Sequence, residues 1–243
     1  MHRFFISPDA LREGELRLRD GPARQIREVL RLRVGERIAV LDNSGAEYQV
    51  ELTEVGREQV CGHVVERSGE SREARTHLIL YQCLLKADKF EWVLQKCTEL
   101  GVAEFVPVIS ARVVATSVGR AKQTRWERIT VEAAEQSSRS KIPMLQPVRE
   151  WDEALADAQA RGGVALIPWE QERTKDLRGA LQPGEPVHLF IGPEGGLTAT
   201  EVEQAVARGV QPITLGPRIL RAETAGLVAA SAIFFARGEW DAR

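Results

Sequence analysis

The sequence predicts an α/β protein in which a small β-rich module precedes a larger domain built on a parallel sheet. Short apolar segments punctuated by turn residues fill residues 1–70, which is typical of a small barrel. From residue 77 onward, apolar segments alternate with segments of helical periodicity, which is the pattern of βαβ units. At 243 residues the chain is long enough for two modest domains.

The first module contains three segments with the alternation expected of strands, at residues 38–41, 48–52 and 60–65. A helical segment precedes them at residues 22–30, with Pro22 near its first turn, where a missing amide proton costs no helical hydrogen bond. We therefore expect a small β-barrel accompanied by one helix.

Positive charge is concentrated on this module. Six arginines between residues 17 and 33 are accompanied by only Asp20 and Glu28, a local charge of +4, although the whole chain has a formal net charge of −2. A charge run is usually a solvated face, and this alternative stays open. The sharper interpretation is a patch that contacts nucleic-acid phosphates. Its members are Arg17, Arg19, Arg24, Arg27, Arg31 and Arg33.

A polar segment at residues 66–75 separates the module from the rest of the chain. Between Arg67 and Glu73 it has no periodicity and no bulky apolar residue, as expected of a linker. We therefore predict one domain over residues 1–70 and a second over residues 74–243.

The second domain is predicted to begin with a strand buried on both faces, because residues 77–85 are almost continuously apolar. A helix is predicted at Lys89–Leu100, where apolar residues recur at helical spacing. Asp88 is a suitable N-cap for this helix, and Gly101 is a suitable residue to end it. Cys97 lies on the apolar face and is expected in the core.

The remaining elements continue the alternation of strand and helix. Further helices are predicted at residues 121–136, 152–161, 198–208 and 223–237, and strands at residues 102–109, 164–168, 187–191 and 212–215. Thr198 and Glu201 form a capping box for the third of these helices. The last helix is apolar on nearly all sides, which predicts burial in a core or against a partner subunit. His188, inside a strand, is expected to be a packed histidine.

Two glycine-rich turns follow strands near the end of the chain. The first is residues 191–198 (IGPEGGLT), and the second is residues 215–225 (LGPRILRAETA). Glycine lets a ligand approach the backbone closely because it has no side chain. The pair therefore predicts one ligand pocket, without identifying the ligand.

Several common sites are missing from the sequence. It has no GxxxxGK[ST] phosphate loop, no HExxH and no GxSxG, and its first glycine-rich turn is not GxGxxG. The four histidines are scattered without metal-ligand spacing, so no metal is expected. The three cysteines form no CxxC pair, and no apolar stretch reaches the roughly 20 residues of a membrane span. We expect a cytoplasmic protein with reduced thiols and no membrane segment.

The two glycine-rich turns resemble the C-terminal motifs of SPOUT-class methyltransferases. Four further stretches, at residues 29–35, 86–92, 95–101 and 135–139, are similar to one family of that class, ribosomal RNA small subunit methyltransferase E. That family methylates N3 of a uridine in 16S rRNA. The resemblance covers nearly the whole chain, and the paired C-terminal motifs are its most specific part.

The resemblance implies a PUA-like, RNA-binding barrel joined to an α/β domain whose C-terminus is tied in a trefoil knot. It further implies S-adenosylmethionine as the cofactor, held mainly by the backbone of the turns, and a homodimer with the pocket near its interface. The implied cofactor-binding residues are Ile167, Pro168, Ile191, Gly192, Pro193, Glu194, Gly195, Leu215, Gly216, Ile219, Leu220, Thr224 and Ala225.

The resemblance also implies which residues serve the uridine and the RNA. A cation near the uracil carbonyls would stabilise the anion that develops when N3 loses its proton. Arg221 is the first candidate, with an ion pair to Glu223 or Glu194 as the alternative role. Arg139 is the second, supplied across the dimer, or else it complements a helix dipole. Glu223 is either a base or a residue that orders the turn. The implied RNA-binding residues are Arg24, Arg27, Arg31, Arg33, Lys86, Gln136 and Lys141.

Two other functions stay open at this point. One is a SPOUT-class enzyme that methylates tRNA or a ribose 2′-hydroxyl, and the other is a non-catalytic RNA-binding protein of the same fold. The front module and residues 135–139 favour the uridine family, and the intact second turn argues against a non-catalytic protein. The expected partner is 16S rRNA or the assembled small subunit, and the residues do not distinguish the two.

Overall fold

The computed structural model describes residues 1–68, 72–114, 118–181 and 185–241, and the chain divides into two compact units. The first unit comprises Met1–Glu73 and Ala134–Ile142, and the second comprises Ala74–Ala133 and Pro143–Arg243. The first division falls inside the segment predicted as a linker. That segment is partly a strand, however, and its residues 69–71 lie outside the described residues.

A mixed six-stranded sheet curls around the core of the first unit, in the strand order β1-β4-β5-β6-β3-β2. Its strands are β1 (Arg3–Phe5), β2 (Leu11–Arg12), β3 (Glu15–Leu18), β4 (Arg37–Leu41), β5 (Glu47–Val55) and β6 (Val60–Ser68). The parallel pair is β1 with β4. Side chains on one face, including Phe4, Leu16, Ile38 and Val50, form a single buried cluster. The three predicted strands are confirmed, and β1 to β3 were too short to show a period.

The predicted helix at residues 22–30 changes its hydrogen-bonding pattern along its length. The α-helix α1 (Asp20–Arg24) continues as a π-helical turn at Gln25–Val29. Ala23 and Ile26 are buried, whereas Val29 is exposed. The prediction of one continuous α-helix over residues 22–30 was therefore wrong.

Residues 134–142 are held in the first unit by polar contacts. The Glu73 carboxylate accepts hydrogen bonds from the Arg139 guanidinium at 2.6 Å and from the Ser140 amide at 2.9 Å. The Phe5 amide donates to the Glu135 carboxylate at 2.9 Å, and the Arg3 guanidinium donates to the Arg139 carbonyl at 3.2 Å. Each pair is separated by more than sixty residues, so no local pattern in the sequence could indicate this return.

A parallel seven-stranded sheet forms the centre of the second unit, in the order β10-β8-β7-β12-β11-β13 with β9 beside β8. Its strands are β7 (Leu78–Cys83), β8 (Glu104–Ile109), β9 (Met144–Leu145), β10 (Arg149–Glu150), β11 (Val164–Pro168), β12 (Val187–Ile191) and β13 (Gln211–Ile213). The helices are α2 (Lys89–Leu100), α3 (Arg120–Gln136, its last residues in the first unit), α4 (Trp151–Arg161), α5 (Leu177–Ala180), α6 (Ala199–Ala207) and α7 (Ala222–Ala236).

Helices cover both faces of this sheet. Along β7, Leu78 and Leu80 join the core formed with α2 and α7, whereas Ile79 and Tyr81 join the core formed with α4 and α6. A strand with two buried faces needs apolar residues throughout, which explains the apolar run at its start. The predicted α/β class with a small β module in front is confirmed.

The predicted ends of the helices are largely correct. Helix α2 has the predicted bounds, and Gly101 ends it in the left-handed region, with φ of 110°. Asp88 is the N-cap residue of α2, as predicted, but its side chain makes no capping hydrogen bond within the described part of the chain. Cys97 and His188 are buried, as expected. Among the described helices, none combines the length and the hydrophobicity that a membrane crossing requires.

Two adjacent glycines before β11 give a test of this packing. Gly162 and Gly163 both have positive φ, but a Cβ at Gly163 would clash with the Pro186 carbonyl oxygen, whereas a Cβ at Gly162 would meet open space. We expect Gly163→Ala to lower the free energy of unfolding by about 4 kcal/mol, since backbone strain and overpacking add. Gly162→Ala should cost about 2 kcal/mol from strain alone, because its φ of 68° and ψ of −162° belong to a region that is essentially restricted to glycine. Urea unfolding of both variants measures the difference, and equal losses would contradict the predicted clash.

Candidate active site

Loops at the carboxyl edge of the parallel sheet enclose a cavity of about 510 Å³. Ligands of open α/β sheets bind at this edge, and small-molecule sites typically measure about 300–1,000 Å³. The first glycine-rich turn reaches the cavity from β12 and the second from β13. An adjoining cavity of about 110 Å³ shares part of the same wall.

The first turn is tightly folded. The Gly196 amide donates to the Pro193 carbonyl at 2.9 Å, and Gly196 has a φ of 68°. A Cβ on Gly192 would lie 2.9 Å from the Leu197 side chain. These positions need glycine because the turn closes on itself, and its backbone therefore lines the cavity directly.

The loop after β8 supports the first turn from outside. The Arg112 guanidinium donates to the Gly195 carbonyl at 2.8 Å. The buried Glu201 carboxylate accepts from the Ala111 amide at 2.8 Å and from the Thr198 amide at 2.8 Å. Thr198 and Glu201 thus form the predicted capping box of α6, and the same carboxylate ties the helix to the neighbouring loop.

The second turn leads directly into α7. Gly216 has a φ of 98°, and its amide donates to the Thr214 hydroxyl at 3.2 Å. Arg221 is the N-cap residue of α7, and its carbonyl accepts from the Ala225 amide at 2.8 Å. Its exposed side chain lines the cavity and makes no hydrogen bond or ion pair with any described residue.

One lysine links the two turns. The Lys89 ammonium lies 3.5 Å from a carboxylate oxygen of Glu194 in the first turn and 3.5 Å from one of Glu223 in the second. The alternative role considered for Arg221, an ion pair to either glutamate, is therefore wrong. The second oxygen of Glu223, Oε2, is buried and has no hydrogen-bond partner among the described residues.

The environment of Glu194 favours its charged form. Burial alone would raise the pKa of Glu194, but hydrogen bonds from the Lys86 amide and its own amide, together with the Lys89 ammonium, hold the pKa below its usual range. The distance from the Lys86 amide to the carboxylate is 3.0 Å. Glu194 is consequently a fixed negative charge on the cavity wall.

Most of the residues predicted to bind a cofactor lie together in the structure. The large cavity is lined by Pro168, Ile191, Gly192, Pro193, Glu194, Gly195, Ile219, Leu220 and Ala225, together with Arg221 and Glu223. Leu215 and Gly216 line the adjoining cavity. Ile167 and Thr224 belong to the lining of neither cavity. Ile167 is fully buried in the core, and Thr224 is half-buried.

The prediction from sequence missed other residues of the lining, namely Lys89, Glu170, Gly196, Leu197 and Ala222. The last three are neighbours of predicted residues within the turns. Lys89 and Glu170 follow the strands β7 and β11. Because the carboxyl ends of parallel strands meet at one edge, charged residues just after these strands were a usable signal.

The residues predicted to serve the RNA are distributed over both units. Arg139 is buried against Glu73 in the first unit, and its catalytic role across a dimer stays a prediction. Arg24 and Arg27 both pair with Glu28, at 2.8 Å each. The exposed side chains of Arg31 and Arg33 make no ion pair with described residues. Lys86, Gln136 and Lys141 are also exposed. Within the described ranges, no group of three or more His, Cys, Asp or Glu side chains could hold a metal ion.

Comparison with known proteins gives concordant matches. The RNA methyltransferase domain family matches residues 72–234, and the RNA methyltransferase PUA domain matches residues 26–65. Ribosomal RNA small subunit methyltransferase E of Bacillus subtilis strain 168 is 35% identical over 216 residues, which cover 85% of this chain and 84% of the relative.

Solved structures agree with these matches. Ribosomal RNA small subunit methyltransferase E from Neisseria gonorrhoeae, bound to S-adenosyl methionine, matches with a TM-score of 0.88 and 34% identity over 96% of each chain. A methyltransferase from Legionella pneumophila, in complex with the same cofactor, matches with a TM-score of 0.87 and 29% identity over 96% of this chain and 97% of its own.

The support of the first turn by Glu201 gives a test. Glu201→Ala removes a buried acceptor of several hydrogen bonds, and we expect the free energy of unfolding to fall by about 2–3 kcal/mol. Glu203→Ala, on the exposed side of the same helix, should change it by less than about 0.5 kcal/mol. Urea unfolding of both variants measures this, and similar losses would show that Glu201 does not anchor the turn.

Proposed function

The chain belongs to the ribosomal RNA small subunit methyltransferase E family, and we propose that it methylates N3 of a uridine in 16S rRNA with S-adenosylmethionine as the methyl donor. The observation that carries this proposal is the meeting of both glycine-rich turns on one cavity at the carboxyl edge of the sheet. The second unit has the α/β fold of SPOUT enzymes, and the first is PUA-like. The trefoil knot stays a prediction.

The cavity suits S-adenosylmethionine in size and in lining. Its volume is about 510 Å³, its walls combine turn backbone with the apolar side chains of Ile191, Leu197 and Leu220, and an apolar lining with a few polar groups is typical of cofactor sites. The buried Oε2 of Glu223 has no donor among the described residues, so the cavity offers an open anionic acceptor to a ligand that carries a positive charge. When bound, the cofactor supplies a methyl group on a positively charged sulfur, and methyl transfer leaves a neutral thioether.

Arg221 is the residue we place next to the reacting base. A uridine N3 must lose its proton as the new N–C bond forms, and negative charge then develops on the uracil carbonyls. An arginine held at the cavity without a carboxylate partner can stabilise that charge, because its donors are uncommitted. Lys89 occupies both nearby glutamates and so leaves Arg221 available.

Glu223 is our candidate for accepting the N3 proton. It lies in the first turn of α7 and lines the cavity, and one of its two oxygens contacts Lys89. The other oxygen is uncommitted, as a general base requires. The contact with Lys89 supports the alternative role as well, in which Glu223 orders the second turn.

We place the RNA on the arginines of the first unit as well as at the cavity. Arg31 and Arg33 are exposed, and their side chains are not neutralised by any described carboxylate, whereas Arg24 and Arg27 share Glu28. Phosphate contacts favour guanidinium groups that have no internal partner. With ribosomal RNA as the substrate, we place the enzyme in the cytoplasm, where its free cysteines stay reduced.

We also propose that the protein is a homodimer through α7. Between Glu223 and Arg237 this helix carries no charged residue, yet Val228 and Phe235 are exposed, as is the nearby Trp240. An apolar strip of this kind is typical of an interface between subunits. Light scattering should give the mass of two chains, and the mass of one chain for Phe235→Asp. A monomeric wild-type protein would remove this proposal.

The methyltransferase function is tested by product analysis. The protein is incubated with labelled S-adenosylmethionine and, separately, undermethylated small ribosomal subunits, free ribosomal RNA and tRNA, and the modified nucleoside is identified by mass spectrometry. We expect 3-methyluridine in the ribosomal RNA. Label in tRNA or in a 2′-O-methylated nucleoside would favour another SPOUT activity, and no label would indicate a non-catalytic protein.

Arg221→Ala should separate chemistry from cofactor binding. We expect the rate of methyl transfer to fall by about a hundredfold, because a donor to the developing charge is lost, while calorimetry shows cofactor affinity unchanged within about twofold. Arg178→Ala, at an exposed arginine outside the cavity lining, serves as the control with full activity. Normal turnover of Arg221→Ala would exclude the catalytic role.

The basic patch should be tested at two arginines that differ in pairing. We expect Arg33→Ala to weaken RNA binding by about three- to tenfold and to reduce the slope of log affinity against log salt by about 0.8, as loss of one phosphate contact does. Arg24→Ala should have a smaller effect, because Glu28 already neutralises that guanidinium. Filter binding over a range of salt concentrations measures both effects. An unchanged slope for Arg33→Ala would show that the patch is a solvated face that does not contact RNA phosphates.

A further inference from the structure

Three charged side chains from different elements meet on one wall of the cavity. Lys89 lies at the start of α2, Glu194 lies in the first glycine-rich turn, and Glu223 lies at the start of α7. The single ammonium lies 3.5 Å from each carboxylate. One positive and two negative charges leave a net charge of −1 on this Lys89–Glu194–Glu223 cluster.

The rest of the lining does not change this balance. The other charged residues around the cavity are Glu170 and Arg221, whose charges cancel. Both are exposed, whereas the side chains of Lys89, Glu194 and Glu223 are only 33%, 27% and 16% exposed. Charges that are partly buried are screened less by water and salt than exposed ones. The cavity therefore presents an excess of one negative charge, carried by the cluster.

This inference rests on the function proposed above, in which the cofactor occurs in two forms. The two forms differ by one positive charge. S-adenosylmethionine carries a sulfonium, and the product left after methyl transfer, S-adenosylhomocysteine, carries a neutral thioether but is otherwise identical. A negatively charged wall stabilises the bound sulfonium of S-adenosylmethionine, but it does not stabilise the neutral sulfur of S-adenosylhomocysteine.

We propose that the Lys89–Glu194–Glu223 cluster makes the cavity select the cationic methyl donor over its neutral thioether product, and that Lys89 sets the strength of this selection. The lysine neutralises one carboxylate and so lowers the negative charge of the wall from two to one. The selection favours release of the product, and it limits inhibition by the product when both are present.

Calorimetric titration with both ligands tests the proposal, and the measured quantity is the dissociation constant of the product divided by that of the donor. Lys89→Met should raise this ratio by about fivefold, and Glu223→Gln should lower it by about fivefold, which corresponds to about 1 kcal/mol in each direction. Lys89→Arg keeps the charge and should keep the wild-type ratio. High salt should shrink both shifts.

A matched pair on the same helix provides the control. Lys96 contacts Glu99 at 2.8 Å, with side-chain exposures of 34% and 30%, and neither residue lines the cavity. Lys96→Met and Glu99→Gln therefore make the same changes of charge on the same helix without reaching the ligand. Both should leave the ratio unchanged.

The outcomes separate this inference from the proposed function. If the wild-type protein binds neither ligand, the cofactor assignment fails, and the selection falls with it. If both ligands bind but the ratio stays unchanged in Lys89→Met and Glu223→Gln, the methyltransferase function stands and the selection is overturned. Equal weakening of both ligands would show that Lys89 only holds the turns together. Since the two variants predict shifts of opposite sign, either one suffices if the other fails to fold.

Discussion

Burial of β7 on both faces is the constraint on which the rest of the second unit depends. Leu78 and Leu80 pack on one side and Ile79 and Tyr81 on the other, so helices must cover both faces and every crossover must return the chain in the same direction. All the strands therefore end at the same edge. The two glycine-rich turns and the loops after β7 and β8 are brought together there, although they are far apart in sequence.

Ion pairs at that edge determine which charged side chains remain available to a ligand. Lys89 lies between two carboxylates, and the amide of Lys86 adds a further hydrogen bond to Glu194. Because Lys89 pairs with both glutamates, Arg221 has no ion-pair partner among the described residues, and this supports the catalytic role that we propose for it. Methyl transfer from a sulfonium needs little more from the protein than position and charge. A cavity built from backbone turns and a few charges is sufficient for that reaction.

Local patterns explain which parts of the fold could be predicted. Helix α2, the capping box of α6 and the strands β11 and β12 each depend on residues close in sequence, and their bounds were recovered almost residue by residue. The return of residues 134–142 to the first unit depends on Glu73 and Glu135, and the support of the first turn depends on Arg112. Such contacts join residues far apart in the chain, and no periodicity records them.

Lys89 shows how a residue that contradicts a local rule can indicate a site. It is the first residue of α2, where the helix dipole favours acidic side chains and disfavours a lysine. Glu223 does not need the lysine for stability in that position, because it already lies at the start of α7, where a negative charge is favourable. Helix stability therefore gives no reason for the lysine. Its position is explained by the cavity, where one ammonium between two carboxylates fixes the charge that a cationic ligand meets.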